Sequence, residues 1–160
     1  MKTTILLLTL SLFLNGCGLC KNMMHEAVQE EISKHSEVVY LNEGSAIAPY
    51  TPAITAGGFL FVSGQLGFKP GTQELPEDIE SQTRQTLENL LALVKKSGYS
   101  TSDVIQCTVY LKDISDFAKM NSVYATFFEQ GKRPTRATVE ISNLVRNAKI
   151  EISAIAYKAK

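Results

Sequence analysis

The distribution of apolar and polar residues separates an apolar N-terminal stretch and a polar segment from a domain with regular periodicity that begins near residue 37. Alternating or continuous apolar runs in this domain predict five strands, at residues 38–41, 59–63, 103–112, 136–142 and 149–158. Apolar residues that recur every three or four positions predict two helices, at residues 77–97 and 116–130. This order predicts an α+β domain in which both helices cover one face of a mixed sheet.

The residues at the ends of the two helical stretches support these limits. Pro76 suits the first turn of the first helix, and Gly98 ends it after two lysines that favour the negative end of the helix dipole. Ser115 or Asp116 can cap the second helix, and Gly131 ends it. Both helices therefore have start and stop signals beside their apolar stripes.

Each predicted strand has one apolar face, which the helices would cover. In the strand at residues 103–112, this face consists of Ile105, Cys107, Val109 and Leu111. Cys107 is therefore interpreted as a small core residue and not as a nucleophile. In the strand at residues 136–142, the apolar face consists of Ala137, Val139 and Ile141. Arg136 is then predicted on the opposite, uncovered face of the sheet, together with Glu151 of the last strand.

The uncovered face is predicted to be half apolar, because Tyr110, Ile155 and Tyr157 lie on it beside Arg136 and Glu151. A monomer would expose this surface to water, and association between copies would bury it. The pattern therefore predicts a protein that assembles through this face of its sheet.

The N-terminus has the pattern of an export signal. Lys2 is followed by a mostly apolar stretch at residues 5–14, which is typical of a secretory signal and too short to span a membrane. The segment Leu14–Cys17 resembles a bacterial lipobox, so we expect a signal peptide at residues 1–16 and a lipid anchor on Cys17. Residues 17–36 would form the lipidated cysteine and a tether, and residues 37–160 the domain. Secretion without a lipid, or a buried first helix, remain alternatives.

This interpretation places the protein on a membrane outside the cytoplasm, in the periplasm of a bacterium. In that oxidising compartment Cys20 can stay free or pair between chains. The three cysteines of the chain do not indicate a disulfide framework.

The composition excludes several classes of function. The 160 residues include 16 basic and 16 acidic residues, so nothing indicates a nucleic-acid partner. Both histidines, His25 and His35, precede the domain, which excludes a histidine-based metal site and a Ser-His-Asp triad within it. The glycines do not match a phosphate-binding fingerprint. The remaining polar residues suit recognition of a small carboxylate with a bound water.

Arg136 and Glu151 are the candidates for that chemistry. An arginine offers a rigid fork that binds a carboxylate through two hydrogen bonds, and a glutamate can act as a base that positions water. From the pattern alone, Arg136 can equally be a surface residue. Glu151 can equally be a structural carboxylate that is paired with Arg136.

Several separated motifs of the domain resemble the RidA family, also called YjgF, of enamine/imine deaminases. They lie, in order, at Ile47–Tyr50, Phe61–Gln65, Asp103–Asp113, Phe117–Tyr124, Arg133–Arg136 and Lys149–Ala156. The resemblance covers nearly all of residues 37–158 and none of the first 36.

The resemblance implies a chorismate-mutase-like α+β fold and a homotrimer with active sites between subunits. It implies hydrolysis of 2-imino acids, such as 2-iminobutanoate and 2-iminopropanoate, to 2-oxo acids and ammonia, without cofactor or metal. By position, Arg136 would bind the substrate carboxylate and Glu151 would activate water. Other residues would line the pocket, namely Tyr50, Ser63, Gly64, Asn121 and Thr138. Thr138 stands where many members have Cys, and Ala48 and Leu144–Val145 also depart from the common pattern.

Two other functions stay open at this point. The chain can be an exported protein that binds or senses 2-oxo acids without turnover, because the known source of imines is cytoplasmic. An endoribonuclease activity is also ascribed to some members of the family, but the balanced charge and the lack of histidine in the domain argue against it.

Overall fold

The computed structural model describes residues 22–30, 37–41 and 49–159, and the chain divides between Glu37 and Val38 into two compact units. In the first unit, residues 22–30 are helical (α1). The predicted lipidation site, Cys17, lies outside the described residues. Within the described ranges, none of the helices combines the length and the apolar character that crossing a bilayer requires.

The described residues of the second unit form six strands and two α-helices. The strands are β1 (Val39–Leu41), β2 (Ala53–Ala56), β3 (Phe59–Leu66), β4 (Val104–Leu111), β5 (Thr135–Glu140) and β6 (Ile150–Tyr157). The helices are α2 (Ile79–Lys96) and α3 (Phe117–Tyr124), and short 3-10 turns lie at Thr101–Asp103, Ile114–Asp116 and Val145–Asn147.

The strands form one mixed sheet in the order β1-β2-β3-β6-β4-β5. All neighbouring strands are antiparallel except β4 and β5, which run parallel. The α2 helix packs on β3, β6 and α3, so the two helices share one face of the sheet. This arrangement confirms the predicted α+β class.

The core lies between α2, α3 and the inner face of the sheet. Ile79, Leu87, Leu90 and Val94 of α2 are buried, as the periodicity predicts. On the sheet, the buried positions of β4 and β6 alternate as expected for strands with one covered face: Cys107, Val109, Leu111, Ile150, Ile152, Ala154 and Ala156. Cys107 is a core residue, as predicted.

Besides shifts of up to three residues at the ends of strands, four details of the predicted elements were wrong. The α2 helix begins two residues after the predicted start, because the Asp78 carboxylate caps it by accepting from the Ser81 amide at 2.7 Å. Pro76 therefore precedes the helix. Strand β2 was missed because its sequence, Ala-Ile-Thr-Ala, has little alternation of apolar and polar residues. Gly57 and Gly58, which both have left-handed backbone conformations, turn the chain between β2 and β3.

The other two details concern β4 and α3. An irregularity in the pairing of β4 with β6, between Val104 and Gln106, puts Val104 in the core and leaves Ile105 exposed. The α3 helix ends at Tyr124, six residues before the predicted end, and the chain continues in turns. Phe128 lies beyond the helix and is still buried.

Among the described residues of this unit, no helix covers the other face of the sheet, and that face exposes large apolar side chains. Phe59 and Phe61 of β3 lie there with Tyr157 of β6. The ring centroids of Phe59 and Tyr157 are 4.8 Å apart, and those of Phe59 and Phe61 are 6.2 Å apart. The face is therefore an aromatic surface, as the alternation predicts.

Candidate functional site

Arg136 lies near the start of the edge strand β5, where it is paired with Cys107 of β4. Its Nη2 donates a hydrogen bond to the Oδ1 of Asn121 at 2.8 Å. Its Cζ lies 4.5 Å from the centroid of the Tyr124 ring and 5.7 Å from that of Phe117. Along α3, Asn121 follows Phe117 by four residues and Tyr124 follows Asn121 by three, so the three partners of Arg136 lie on one side of the helix.

The groups beneath the guanidinium are neutral. Burial raises the pKa of Tyr124 far above its ordinary value, and burial also raises the pKa of the Cys107 thiol. The Tyr124 hydroxyl has no hydrogen-bond partner within the described residues, and the neighbouring Cys107 thiol is a weak acceptor. Arg136 is thus a positive charge that is held over an apolar and aromatic support, without a carboxylate to neutralise it among the described residues.

Glu151 lies on β6 opposite Tyr110 of β4 and Leu66 of β3, and it points away from the helices. Its carboxylate has no hydrogen-bond or ion-pair partner in the described part of the chain. Burial raises the pKa of Glu151 above its ordinary value. A raised pKa and free lone pairs suit a group that takes a proton from water.

Gly64 of β3 is the close neighbour of this carboxylate. A Cβ atom built on Gly64 would overlap the Oε1 of Glu151 and would lie 2.7 Å from its Cδ. Any side chain at position 64 would therefore displace the carboxylate. This contact gives a physical reason for glycine at a predicted pocket residue.

Arg136 and Glu151 lie on opposite faces of the sheet, so the prediction that they share the uncovered face was wrong. Because parallel neighbours in register point to the same side, pairing with buried Cys107 directs Arg136 toward the helices. The apolar residues Ala137 and Val139 take the uncovered face instead. There is no ion pair between Arg136 and Glu151 in the chain.

The remaining predicted pocket residues fall beside one or the other of these groups. Thr138 follows Arg136 on the same face, and its buried hydroxyl has no hydrogen-bond partner among the described residues. Ser63 precedes Gly64 and donates its hydroxyl hydrogen to the Thr51 carbonyl at 2.7 Å. Tyr50 is half exposed and lies in the bend just before that carbonyl.

The structure therefore forms two half-sites. One contains Arg136, Asn121 and Thr138 on the helix side of the edge strand, and the other contains Glu151 and Gly64 on the uncovered face. Phe117 and Tyr124 also belong to the first half-site, although neither is among the predicted pocket residues. Across the described part of the chain, no three His, Cys, Asp or Glu side chains come together as metal ligands.

A protein-family model described as Endoribonuclease L-PSP matches residues 41–158. The chain belongs to this family, which includes the RidA proteins. Among its relatives, a RutC family protein of Pyrococcus horikoshii is 52% identical over 124 residues, which are 76% of this chain and 98% of that protein. The Escherichia coli protein named 2-iminobutanoate/2-iminopropanoate deaminase is 39% identical over 119 residues, or 73% of this chain and 93% of that protein.

Solved structures of RidA-family members have the same fold. The structure of Escherichia coli TdcF with bound serine superposes with a TM-score of 0.70 at 38% identity, covering 76% of this chain and 98% of TdcF. RidA from an Antarctic Psychrobacter species gives a TM-score of 0.68 at 37% identity, covering 71% of this chain and 92% of that one. The domain is thus a RidA-type mixed sheet, as the sequence resemblance implied.

Proposed function

We propose that the protein hydrolyses reactive 2-imino acids, such as 2-iminobutanoate and 2-iminopropanoate, to 2-oxo acids and ammonia. The observation that carries this proposal is the set of contacts that the Arg136 guanidinium makes. Its guanidinium is fixed by Asn121 and Tyr124, yet no carboxylate among the described residues pairs with it. Only Nη2 is engaged, so other N–H groups of the fork are available to a substrate carboxylate.

In the proposed reaction, Arg136 binds the substrate carboxylate and fixes the adjacent imine carbon. Glu151 takes a proton from water as the water oxygen bonds to that carbon, and the electrons of the C=N double bond move to nitrogen. That proton passes from Glu151 to nitrogen and gives a carbinolamine. Transfer of the hydroxyl proton to the same nitrogen then accompanies cleavage of the C–N bond, so ammonia leaves as the carbonyl forms. Water supplies the oxygen of the product, so the atoms balance without an oxidant or a cofactor.

The separation of the two half-sites supports active sites between the subunits of an assembly, which we propose to be a homotrimer. Within one chain, Arg136 and Glu151 point to opposite faces, so they cannot act on one small molecule. A second copy that packs on the aromatic face can bring its own Arg136 to the edge of that surface. The proposed active site therefore combines Glu151 and Gly64 of one copy with Arg136, Asn121 and Thr138 of another.

A coupled assay tests the proposal directly. An amino-acid oxidase generates 2-iminobutanoate or 2-iminopropanoate in the presence of purified residues 21–160, and release of ammonia is followed. We expect acceleration by the wild type and a loss of about 30- to 1000-fold in Arg136→Ala, because one charge-assisted ion pair of about 2–4 kcal/mol is removed. Wild-type activity in Arg136→Ala would refute the role of Arg136, and an inactive wild type would refute the function.

Binding of 2-oxo acids without turnover is the second candidate, and the Leu14–Cys17 motif favours it because export removes the protein from the cytoplasmic source of imines. Tight binding of 2-oxobutanoate by a wild type without turnover would support this candidate. RNA hydrolysis is the activity in the description of the family model, but the equal numbers of acidic and basic residues do not indicate a polyanion partner. Binding of RNA that weakens with salt would favour that activity.

We propose further that Cys17 is lipidated and anchors the protein to a membrane outside the cytoplasm. The support is the order of Lys2, the apolar residues 5–14 and the Leu14–Cys17 motif in the sequence. Cells that express the full chain should incorporate labelled palmitate into the wild type and not into Cys17→Ala. Recovery of unlabelled wild type in the soluble fraction would contradict the anchor.

A further inference from the structure

The two nearer of the three supports of the Arg136 guanidinium, Asn121 and Tyr124, make contacts of different geometry, and Phe117 lies farther away at 5.7 Å. The hydrogen bond to Asn121 lies at one end of the guanidinium, at 2.8 Å from Nη2. The ring of Tyr124 lies beneath the guanidinium carbon, at 4.5 Å from its centroid. This separation is well within the range in which a cation is attracted to an aromatic face.

The two contacts restrict different motions. A single hydrogen bond fixes the position of Nη2 but leaves the guanidinium plane free to rotate about the line from Nη2 to Oδ1. The face of the ring opposes that rotation, because a tilted guanidinium loses its contact with the π surface. Capture of a carboxylate through two parallel hydrogen bonds depends on the orientation of this plane.

The Tyr124 ring is itself held firmly. Only 4% of the residue is exposed, and its centroid lies 4.9 Å from that of Phe128, which is equally buried. Within the described residues its hydroxyl meets only the thiol of Cys107, which is a weak hydrogen-bonding group, so the hydroxyl anchors the side chain little. What Tyr124 offers Arg136 is therefore a fixed ring face.

We infer that Tyr124 is a positioning residue that sets the plane of the Arg136 fork for binding of a carboxylate. This inference rests on the proposed function of Arg136, and it adds Tyr124, which is not among the predicted pocket residues. It predicts that the aromatic ring at position 124 controls the affinity for substrate, and that the hydroxyl does not.

Kinetics of three variants test the inference. Tyr124→Leu should raise KM for the imine about 3- to 30-fold, the range of about 0.6–2 kcal/mol for a cation–π contact, with a smaller change in kcat. Tyr124→Phe should restore KM to within about two-fold of the wild type, because the ring is retained. Leu60→Ala removes a fully buried side chain on β3, and two strands, β6 and β4, separate β3 from Arg136 on β5.

Leu60→Ala should therefore lower the melting temperature, as Tyr124→Leu does, and leave KM near the wild-type value. A purely structural role would make the two destabilised variants raise KM alike. That result, or a raised KM in Tyr124→Phe, would overturn the inference.

A second measurement separates this inference from the proposed reaction. Calorimetric titration with 2-oxobutanoate, the product, reports carboxylate binding without turnover. If the wild type binds 2-oxobutanoate and shows no deaminase activity, the proposed reaction fails while the affinities of the three variants still decide the role of Tyr124. A wild type that neither binds nor turns over would overturn both.

Discussion

The Asn121→Asp substitution tests whether the charge of Arg136 is available to substrate. The side chains are nearly equal in size, so the change places a carboxylate where the amide oxygen now accepts from Nη2 at 2.8 Å. The new ion pair would hold Arg136 in place and neutralise it. A substrate carboxylate on the same guanidinium would then lie roughly 5 Å from the carboxylate that the substitution introduces. The repulsion between the two carboxylates is about 1 kcal/mol at the dielectric constant of water and about 3 kcal/mol at a protein-like value.

This repulsion should raise KM about 5- to 150-fold, because it opposes binding of the anionic substrate in ground and transition states alike. The penalty should shrink as the salt concentration rises, since Arg136 is partly exposed. The melting temperature should not fall, so the loss cannot be attributed to unfolding. Steady-state assays at several ionic strengths measure these effects.

Asn143→Asp is the matched control, because it adds the same charge at an exposed position in the loop after β5. We expect its KM to stay near the wild-type value. Equal KM values for the two aspartate variants would refute the reasoning, because the charge of Arg136 would then have no part in binding.

Three further predictions concern the other half-site and the packing around it. Glu151→Gln should lower turnover about 100-fold or more, the usual contribution of a general base. Burial raises the pKa of Glu151 in the folded state, so ionisation of this carboxyl group disfavours folding. At neutral pH, the free energy of unfolding of Glu151→Gln should therefore be at least that of the wild type. Chemical denaturation should show this difference in stability vanish below the ordinary pKa of 4.5, where the carboxyl group is protonated in both states. Gly64→Ala should lose turnover with little change in melting temperature, because its Cβ meets the movable end of the Glu151 side chain. In Gly67→Ala, the Cβ would lie 2.7 Å from the backbone carbonyl oxygen of Gln82. The backbone cannot move aside as easily, so this variant should lose about 1–3 kcal/mol of stability. Thr138→Val removes a buried hydroxyl without a partner among the described residues and should gain about 1 kcal/mol in the free energy of unfolding; a loss of stability would indicate a hydrogen bond.

Periodicity predicted the elements that have one covered and one open face. The apolar residues on one side of α2 and at alternate positions of β6 lie in the core. Only one orientation of such a helix or strand buries its apolar residues, so the pattern alone predicts that orientation. Strand β2 lacks this contrast, because both faces of Ala-Ile-Thr-Ala are weakly apolar. Its position follows only from the pairing of Ala53–Ala56 with β1 and β3.

The orientation of β5 could not be predicted from its own sequence. Arg136 and Thr138 alternate with Ala137 and Val139, and the apolar pair would normally face the core. At an edge strand next to the short α3 helix, the helix instead receives Arg136 through Asn121 and two aromatic rings. The apolar pair then extends the exposed surface. This inversion depends on tertiary contacts that alternation does not encode.

The division of the site between two faces has an electrostatic consequence. If Arg136 and Glu151 shared a face at about 4 Å, their attraction would reach about 4 kcal/mol at a protein-like dielectric constant, and a substrate carboxylate would have to displace Glu151. Placing them on opposite faces keeps both groups unpaired within one chain. In the proposed trimer they come together only across the subunit contact, where a bound substrate can separate them. Activity should therefore depend on assembly as well as on the two side chains.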